Sequence, residues 1–245
     1  MIKAVIFDMG GTLMRFVLPG SGSWREFETP GIRGIYRYLV EQGHPIASRE
    51  DDFVEVMFAR LAEGWEQSTG GHISLRAADW IAAGAAEHAL TLDEAALIEA
   101  ARRYARPIRD GLRAADGAAE TLAALRAAGY RIGLISNTIW PAELHIEDLE
   151  EIGLLRYLEH LSFSGEIGMW KPNRQIFEHA LDALGATPEQ SVFVGDNPRE
   201  DILGARGAGM RAIWVRSPEF LGDVQPDAII EALPELLPIL ERWRA

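Results

Sequence analysis

Short apolar runs alternate with longer amphipathic stretches along most of this 245-residue chain. The first run, Lys3-Ala4-Val5-Ile6-Phe7, is uninterrupted and β-branched, the pattern of a strand buried on both faces. It stops at Asp8, and Gly10-Gly11 imposes a turn. Residues 130–135, 191–194 and 211–215 share that build, 160–163 is a weaker version, and 228–230 is a last short candidate. Between them, 117–128 carries Leu122 and Leu125 and stops at Gly129. The stretch 173–184 sets Ile176, Phe177, Ala180, Leu181 and Leu184 on one face and stops at Gly185. Strands alternating with helices predict the α/β class: a doubly wound parallel, Rossmann-like sheet, with ligands beyond the carboxyl ends of its strands.

Residues 15–110 break this rhythm. Phe53, Met57, Leu61 and Trp65 recur every four residues, and 79–89 and 93–105 also read as helices. Glycine and proline cluster at the entry (Pro19, Gly20, Gly22, Pro30, Gly31), so Glu26 and Glu28 are expected on a loop, and Pro107 with Gly111 marks the exit. The division expected is a core of 1–14 and 111–245 around a helical insertion, 15–110. At the end of the chain, Leu236, Leu237, Ile239 and Leu240 form an apolar helix face that suits either the core or a second subunit. Monomer and homodimer both stay open.

Composition narrows the chemistry. The absence of cysteine excludes disulfides and thiolate nucleophiles. The opening residues go straight into a strand pattern and no long uncharged run follows, so a soluble cytoplasmic protein is expected. A net charge of −13 disfavours nucleic acid and anionic membranes as partners. Of the 24 basic residues only Lys3 and Lys171 are lysines, which draws attention to Lys171.

Four short segments fall at expected strand ends or in the loops that follow: Phe7-Asp8-Met9-Gly10-Gly11-Thr12-Leu13, Leu134-Ile135-Ser136-Asn137, Gly168-Met169-Trp170-Lys171-Pro172, and Phe193-Val194-Gly195-Asp196-Asn197 leading to Asp201. Alone, each has a plain structural reading. Asp8 opens a turn, Ser136-Asn137 caps a helix, Lys171-Pro172 is a solvated charge before a helix start, and Asp201 favours a helix N-terminus. In order and together they resemble the motifs of the haloacid dehalogenase (HAD) superfamily, and the insertion resembles the helical cap such proteins carry after motif one.

The resemblance implies a phosphatase for a small phosphorylated molecule, with Asp8 as nucleophile and an aspartyl-phosphate intermediate. It implies Mg²⁺ held by Asp8, the Gly10 carbonyl, Asp196 and Asp201, the last directly or through water. Lys171 and Ser136 would contact the phosphoryl group, with Thr12 and Asn137 as further substrate-binding positions. Metal and lysine answer one physical need, since a carboxylate attacking an anionic ester requires positive charge between them.

One position departs from the pattern. Phosphatases of this type carry an acid/base aspartate two residues after the nucleophile; here Gly10 stands there. Three readings compete: a phosphatase drawing its acid/base from elsewhere, such as Glu26 or Glu28; a catalytically weak phosphate- and Mg²⁺-binding or regulatory protein; or a related chemistry. Residues 15–110 contain no lysine for phosphonate cleavage. A 2-haloacid dehalogenase ranks lowest, because Asp196 and Asp201 are both present. Arg15, Arg25 and Arg33, with Trp24, Trp140 and Trp170, are candidates for an anionic or aromatic substrate pocket.

Overall fold

The computed structural model describes residues 1–17, 23–71, 74–217 and 224–244. In chain order it contains β1 (Ala4–Phe7), β2 (Met14–Phe16), α1 (Trp24–Glu41), α2 (Glu50–Gly71), α3 (Ala77–Glu87), α4 (Glu94–Arg109) and β3 (Leu112–Ala114). There follow α5 (Ala118–Ala127), β4 (Arg131–Ser136), α6 (Ala142–Glu151), β5 (His160–Phe163), α7 (Ser164–Ile167), α8 (Arg174–Ala183) and β6 (Ser191–Gly195). The last elements are α9 (Gly204–Gly207), β7 (Arg211–Val215), β8 (Ala228–Ile230) and α10 (Leu236–Arg244).

Six strands form one parallel sheet in the order β5-β4-β1-β6-β7-β8. The central position of β1 explains its unbroken apolar run. Val5 and Phe7 face one side with Leu134, Val194 and Ile213, under Leu122 and Leu125 of α5 and Leu236 and Leu240 of α10. Ala4 and Ile6 face the other with Ile135 and Phe193, under Ile176, Phe177 and Leu181 of α8. Alternate residues of one strand thus serve two cores. The apolar face of α10 is spent on the first of these, with Leu236 and Leu240 almost fully buried.

Helices α1–α4 enclose a third cluster, in which Ile35, Phe53, Met57, Leu61, Trp80 and Tyr104 are joined by Ile139 and Trp170 from loops of the sheet layer. The helical unit is therefore seated on the carboxyl edge of the sheet. Close approach of α1 and α4 requires Gly31, where a Cβ would stand 2.3 Å from the Tyr104 carbonyl oxygen.

Two features depart from the sequence reading. The chain leaves and re-enters the sheet layer through an antiparallel ribbon, β2 against β3, whose three-residue strands are too short to show a period. Helix α1 begins at Trp24, with Ser23 capping the Glu26 amide, and runs on through Pro30 and Gly31. Glu26 and Glu28 are thus helical rather than on a loop. Pro107 likewise lies inside α4, whose burial outweighs the hydrogen bond proline removes. Pro19, Gly20 and Gly22 lie outside the described residues.

Candidate active site

Neighbouring parallel strands lie about 4.8 Å apart, so residues just past β1, β4 and β6 converge. Asp8 follows β1, Ser136 ends β4, Asp196 follows β6, and Asp201 sits one turn further on, in the π-helical turn Pro198–Leu203. Lys171 arrives from the segment between α7 and α8. It does not face solvent before a helix start: α8 is capped by Asn173, and Lys171 is 1% exposed.

The Lys171 ammonium donates to Asp8 Oδ1 at 2.6 Å, to Asp201 Oδ1 at 2.8 Å and to the Ile135 carbonyl at 3.2 Å, which uses all three of its protons. The second oxygen of Asp201 accepts the Asn197 amide at 2.9 Å. Asp8 Oδ2 is buried and has no hydrogen-bond partner among the described residues. One oxygen from each of Asp8, Asp196 and Asp201 lies within 4.8 Å of the others. Two glycines make this packing feasible. A Cβ on Gly11, at φ +83°, would come 2.3 Å from Asp196 Oδ2, and one on Gly195 would come 2.3 Å from Asp201 Oδ2.

Electrostatics follows from that crowding. Burial pushes the Asp8 carboxyl up to about 7, the Lys171 ammonium pulling it down and Asp201 adding to the rise. Burial, then Asp8 and Asp201, push Asp196 up to about 8. Burial draws Lys171 down, but Asp201 and Asp8 more than reverse this and hold its pKa above the ordinary lysine value. When all three are ionised, the buried carboxylates against one ammonium carry an excess of two negative charges. An oxygen-rich pocket with that excess fits a hard divalent cation such as Mg²⁺.

Above the carboxylates lies a cavity of about 250 Å³, lined by Asp8, Gly10, Ser136, Asn137, Asp196 and Asp201 on the sheet side. Phe16, Glu28, Trp65, Tyr104, Ile108 and Trp140 are among the residues that line its other parts. Of the residues read from the sequence, Thr12 is 1% exposed, its hydroxyl has no partner among the described residues, and it is not part of this lining. The Asn137 amide group is committed: its oxygen accepts the Lys171 amide at 2.7 Å, and its nitrogen donates to the Lys171 carbonyl at 3.1 Å and to Glu200 at 2.8 Å. Gly10 has open space where a Cβ would stand.

Arg25 is paired with Glu55, Arg33 with Asp51 and Glu50, and Arg15 is exposed on β2; none lines the cavity. Trp140 does, whereas Trp170 stacks edge-on against Trp65 and Trp24 against Phe58. Tyr104, Glu200 and His145 are lining residues that sequence reasoning did not single out. Only Glu200 carried a signal, its place beside Asp201. His145 bonds Thr138 at 2.5 Å and stacks on Trp140, and burial lowers its pKa against the pull of Asp148. Its neighbour Asp148 accepts Arg109 Nε at 2.6 Å, which ties the end of α4 to α6.

A family model described as haloacid dehalogenase-like hydrolase matches residues 2–209. A glyceraldehyde 3-phosphate phosphatase of Methanothermobacter thermautotrophicus is 44% identical over 106 residues, covering 43% of this chain and 46% of that protein. The match spans about half the length of this relative, of a phosphoserine phosphatase of Thermus thermophilus and of a glyceraldehyde 3-phosphate phosphatase of Pyrococcus furiosus. A glyceraldehyde 3-phosphate phosphatase of Methanopyrus kandleri is 28% identical over 98% of this chain and 97% of its own. Among solved structures, a 2-haloacid dehalogenase from Pseudomonas syringae superposes with a TM-score of 0.69 at 26% identity, covering 99% of this chain and 100% of that one. No described helix is long and apolar enough to cross a membrane.

Proposed function

The chain belongs to the haloacid dehalogenase-like hydrolase family, and from that premise we propose that it is a Mg²⁺-dependent phosphatase for a small phosphate ester. The observation that carries this reading is the gathering of Asp8, Asp196 and Asp201 around one ammonium at the floor of a cavity, two negative charges in excess once all three ionise. A metal-free dehalogenase reaction would leave that excess unanswered.

Asp8 and Asp196 are the ligands best placed to hold the cation, with the Gly10 carbonyl beside them. Asp201, with both oxygens already engaged, acts through an intervening water. Bound there, Mg²⁺ supplies Lewis-acid neutralisation of the phosphoryl oxygens. Asp8 Oδ2, free of other bonds, attacks phosphorus as the ester oxygen leaves, and water then opens the resulting acyl phosphate. Lys171 fixes Asp8 through Oδ1 and faces the phosphoryl charge, Ser136 donates to a phosphoryl oxygen, and Asn137 orients Lys171 through its backbone. Thr12 takes part through the backbone of its turn. Residues 15–110 act as the cap over a core of 1–14 and 111–245.

Gly10 favours a second reading, a slow enzyme or a regulator that retains the phosphate and Mg²⁺ site. Turnover of an aryl phosphate with Mg²⁺ supports the first reading; tight Mg²⁺ and phosphate binding without turnover supports the second. Halide release without metal would replace both.

Metal should also stabilise the fold, by roughly 2.7 kcal/mol at one hundred times its dissociation constant. The sign with pH follows from the raised carboxyls. Without metal, native Asp8 and Asp196 retain protons that the unfolded chain releases above its ordinary value of 3.8. Their contribution is therefore full below about 4 and is lost as pH rises to about 8. Thermal unfolding should show a larger Mg²⁺-induced rise in Tm at pH 8 than at pH 6, and a smaller one in Asp196→Asn. An equal rise in all three cases contradicts the assignment.

A further inference from the structure

The vacancy in motif one has a counterpart in the helical unit. Glu28, in the second turn of α1, is 4% exposed and lines the same cavity as Asp8. Among the described residues no cation is paired with it. Its partners are neutral: the Tyr104 hydroxyl donates to Oε2, and the Trp24 side chain also bonds to the carboxyl. Such partners fix orientation without fixing protonation.

We propose that Glu28 performs the proton transfers for which Gly10 has no side chain. As Asp8 Oδ2 bonds to phosphorus and the ester P–O bond breaks, the Glu28 carboxyl gives its proton to the departing oxygen. The carboxylate left behind takes a proton from the water that opens the acyl phosphate on Asp8, which restores the acid. This assignment rests on the phosphatase reading above.

The other titratable groups facing the cavity are otherwise engaged. Asp8, Asp196 and Asp201 form the charged floor. Glu200 accepts from Asn137 at 2.8 Å and from Trp170 at 3.3 Å, one bond on each oxygen. His145 is bound to Thr138. Tyr104 is pushed well above 10 by burial and by Glu28, and stays protonated. Burial lifts Glu28 itself to about 7, the hydrogen bonds from Tyr104 and Trp24 opposing the rise. A carboxyl near neutrality serves as both acid and base in one cycle.

The test compares wild type, Glu28→Gln, Gly10→Asp and the double variant, with Mg²⁺, on p-nitrophenyl phosphate and benzyl phosphate. The nitrophenolate leaves without a proton; the benzyl alkoxide does not. Glu28→Gln should lose about 10²-fold or more in kcat on benzyl phosphate, and much less in the pre-steady-state nitrophenol burst. Its pH–rate limb near neutrality should disappear, and Gly10→Asp in the same chain should restore at least about ten-fold. A Glu28→Gln protein within three-fold of wild type on benzyl phosphate overturns the proposal. So does an equal loss on both esters that Gly10→Asp leaves unrelieved. Should Glu28→Gln not fold, a leaving-group series on wild type decides: a shallow dependence of kcat/KM on leaving-group pKa supports the proposal, and a steep one overturns it. Wild type inert towards every ester, by contrast, removes the phosphatase reading itself.

Discussion

Asp8→Asn is expected to lower phosphate ester turnover by at least about 10⁴-fold while leaving the protein folded. The substituted side chain keeps the shape of Asp8, and its carbonyl oxygen retains the 2.6 Å bond from Lys171. What it loses is the nucleophile, Oδ2, an atom with no structural partner. It also loses a crowded carboxyl whose pKa burial already lifts to about 7. Thermal stability without metal should therefore equal or exceed that of wild type. Steady-state kinetics and a melting curve on one preparation check both halves. Retained turnover would remove Asp8 from the chemistry. A collapsed Tm would make it a structural residue.

Lys171→Met should be damaging in a different way. Removing one partner of a buried ion pair leaves uncompensated charge, at a cost of roughly 3–5 kcal/mol. Here Asp8, Asp201 and the Ile135 carbonyl all lose their shared donor at once. The gap in stability between wild type and variant should widen from pH 5 to pH 8, because protonation of the stranded carboxyls at low pH relieves their repulsion. Turnover should fall by about 10²- to 10³-fold even where the variant is folded, through loss of the charge facing the phosphoryl oxygens. Denaturant melts at the two pH values, paired with kinetics, are the measurement. A pH-independent stability gap would mean that Lys171 is not what balances these acids.

Much of this was readable from residue order alone. The run 4–7, apolar at every position, indicated a strand covered on both faces; the strand ends set Asp8, Ser136 and Asp196 on one edge, and the resemblance to the HAD motifs singled them out. The burial of Lys171 was not readable. Beside Pro172 a lysine alone looks solvated; the resemblance set it near Asp8, but its pairing with Asp201 lay outside that expectation. The β2–β3 ribbon escaped because three residues define no period. Helix α1 escaped in part because Pro30 and Gly31 are local breakers, whereas the close packing of α1 on α4 is a long-range contact that local propensity cannot express. For the same reason Glu28 and Tyr104, 76 positions apart, gave no sign that they share a cavity. Arg15, Arg25 and Arg33 looked like anion binders, and surface acids claim the last two.

The central claim is covalent and local: during turnover the phosphoryl group resides on Asp8. Acid quench of the Mg²⁺-loaded protein within its first turnovers, followed by mass spectrometry of its peptides, reads this directly. The predicted result is a phosphoryl group on the peptide that begins the chain, localised to Asp8, absent when Mg²⁺ is chelated and absent in Asp8→Asn. Ester hydrolysis that proceeds at full rate with Asp8 never phosphorylated, or with the phosphoryl group on another side chain, would contradict it.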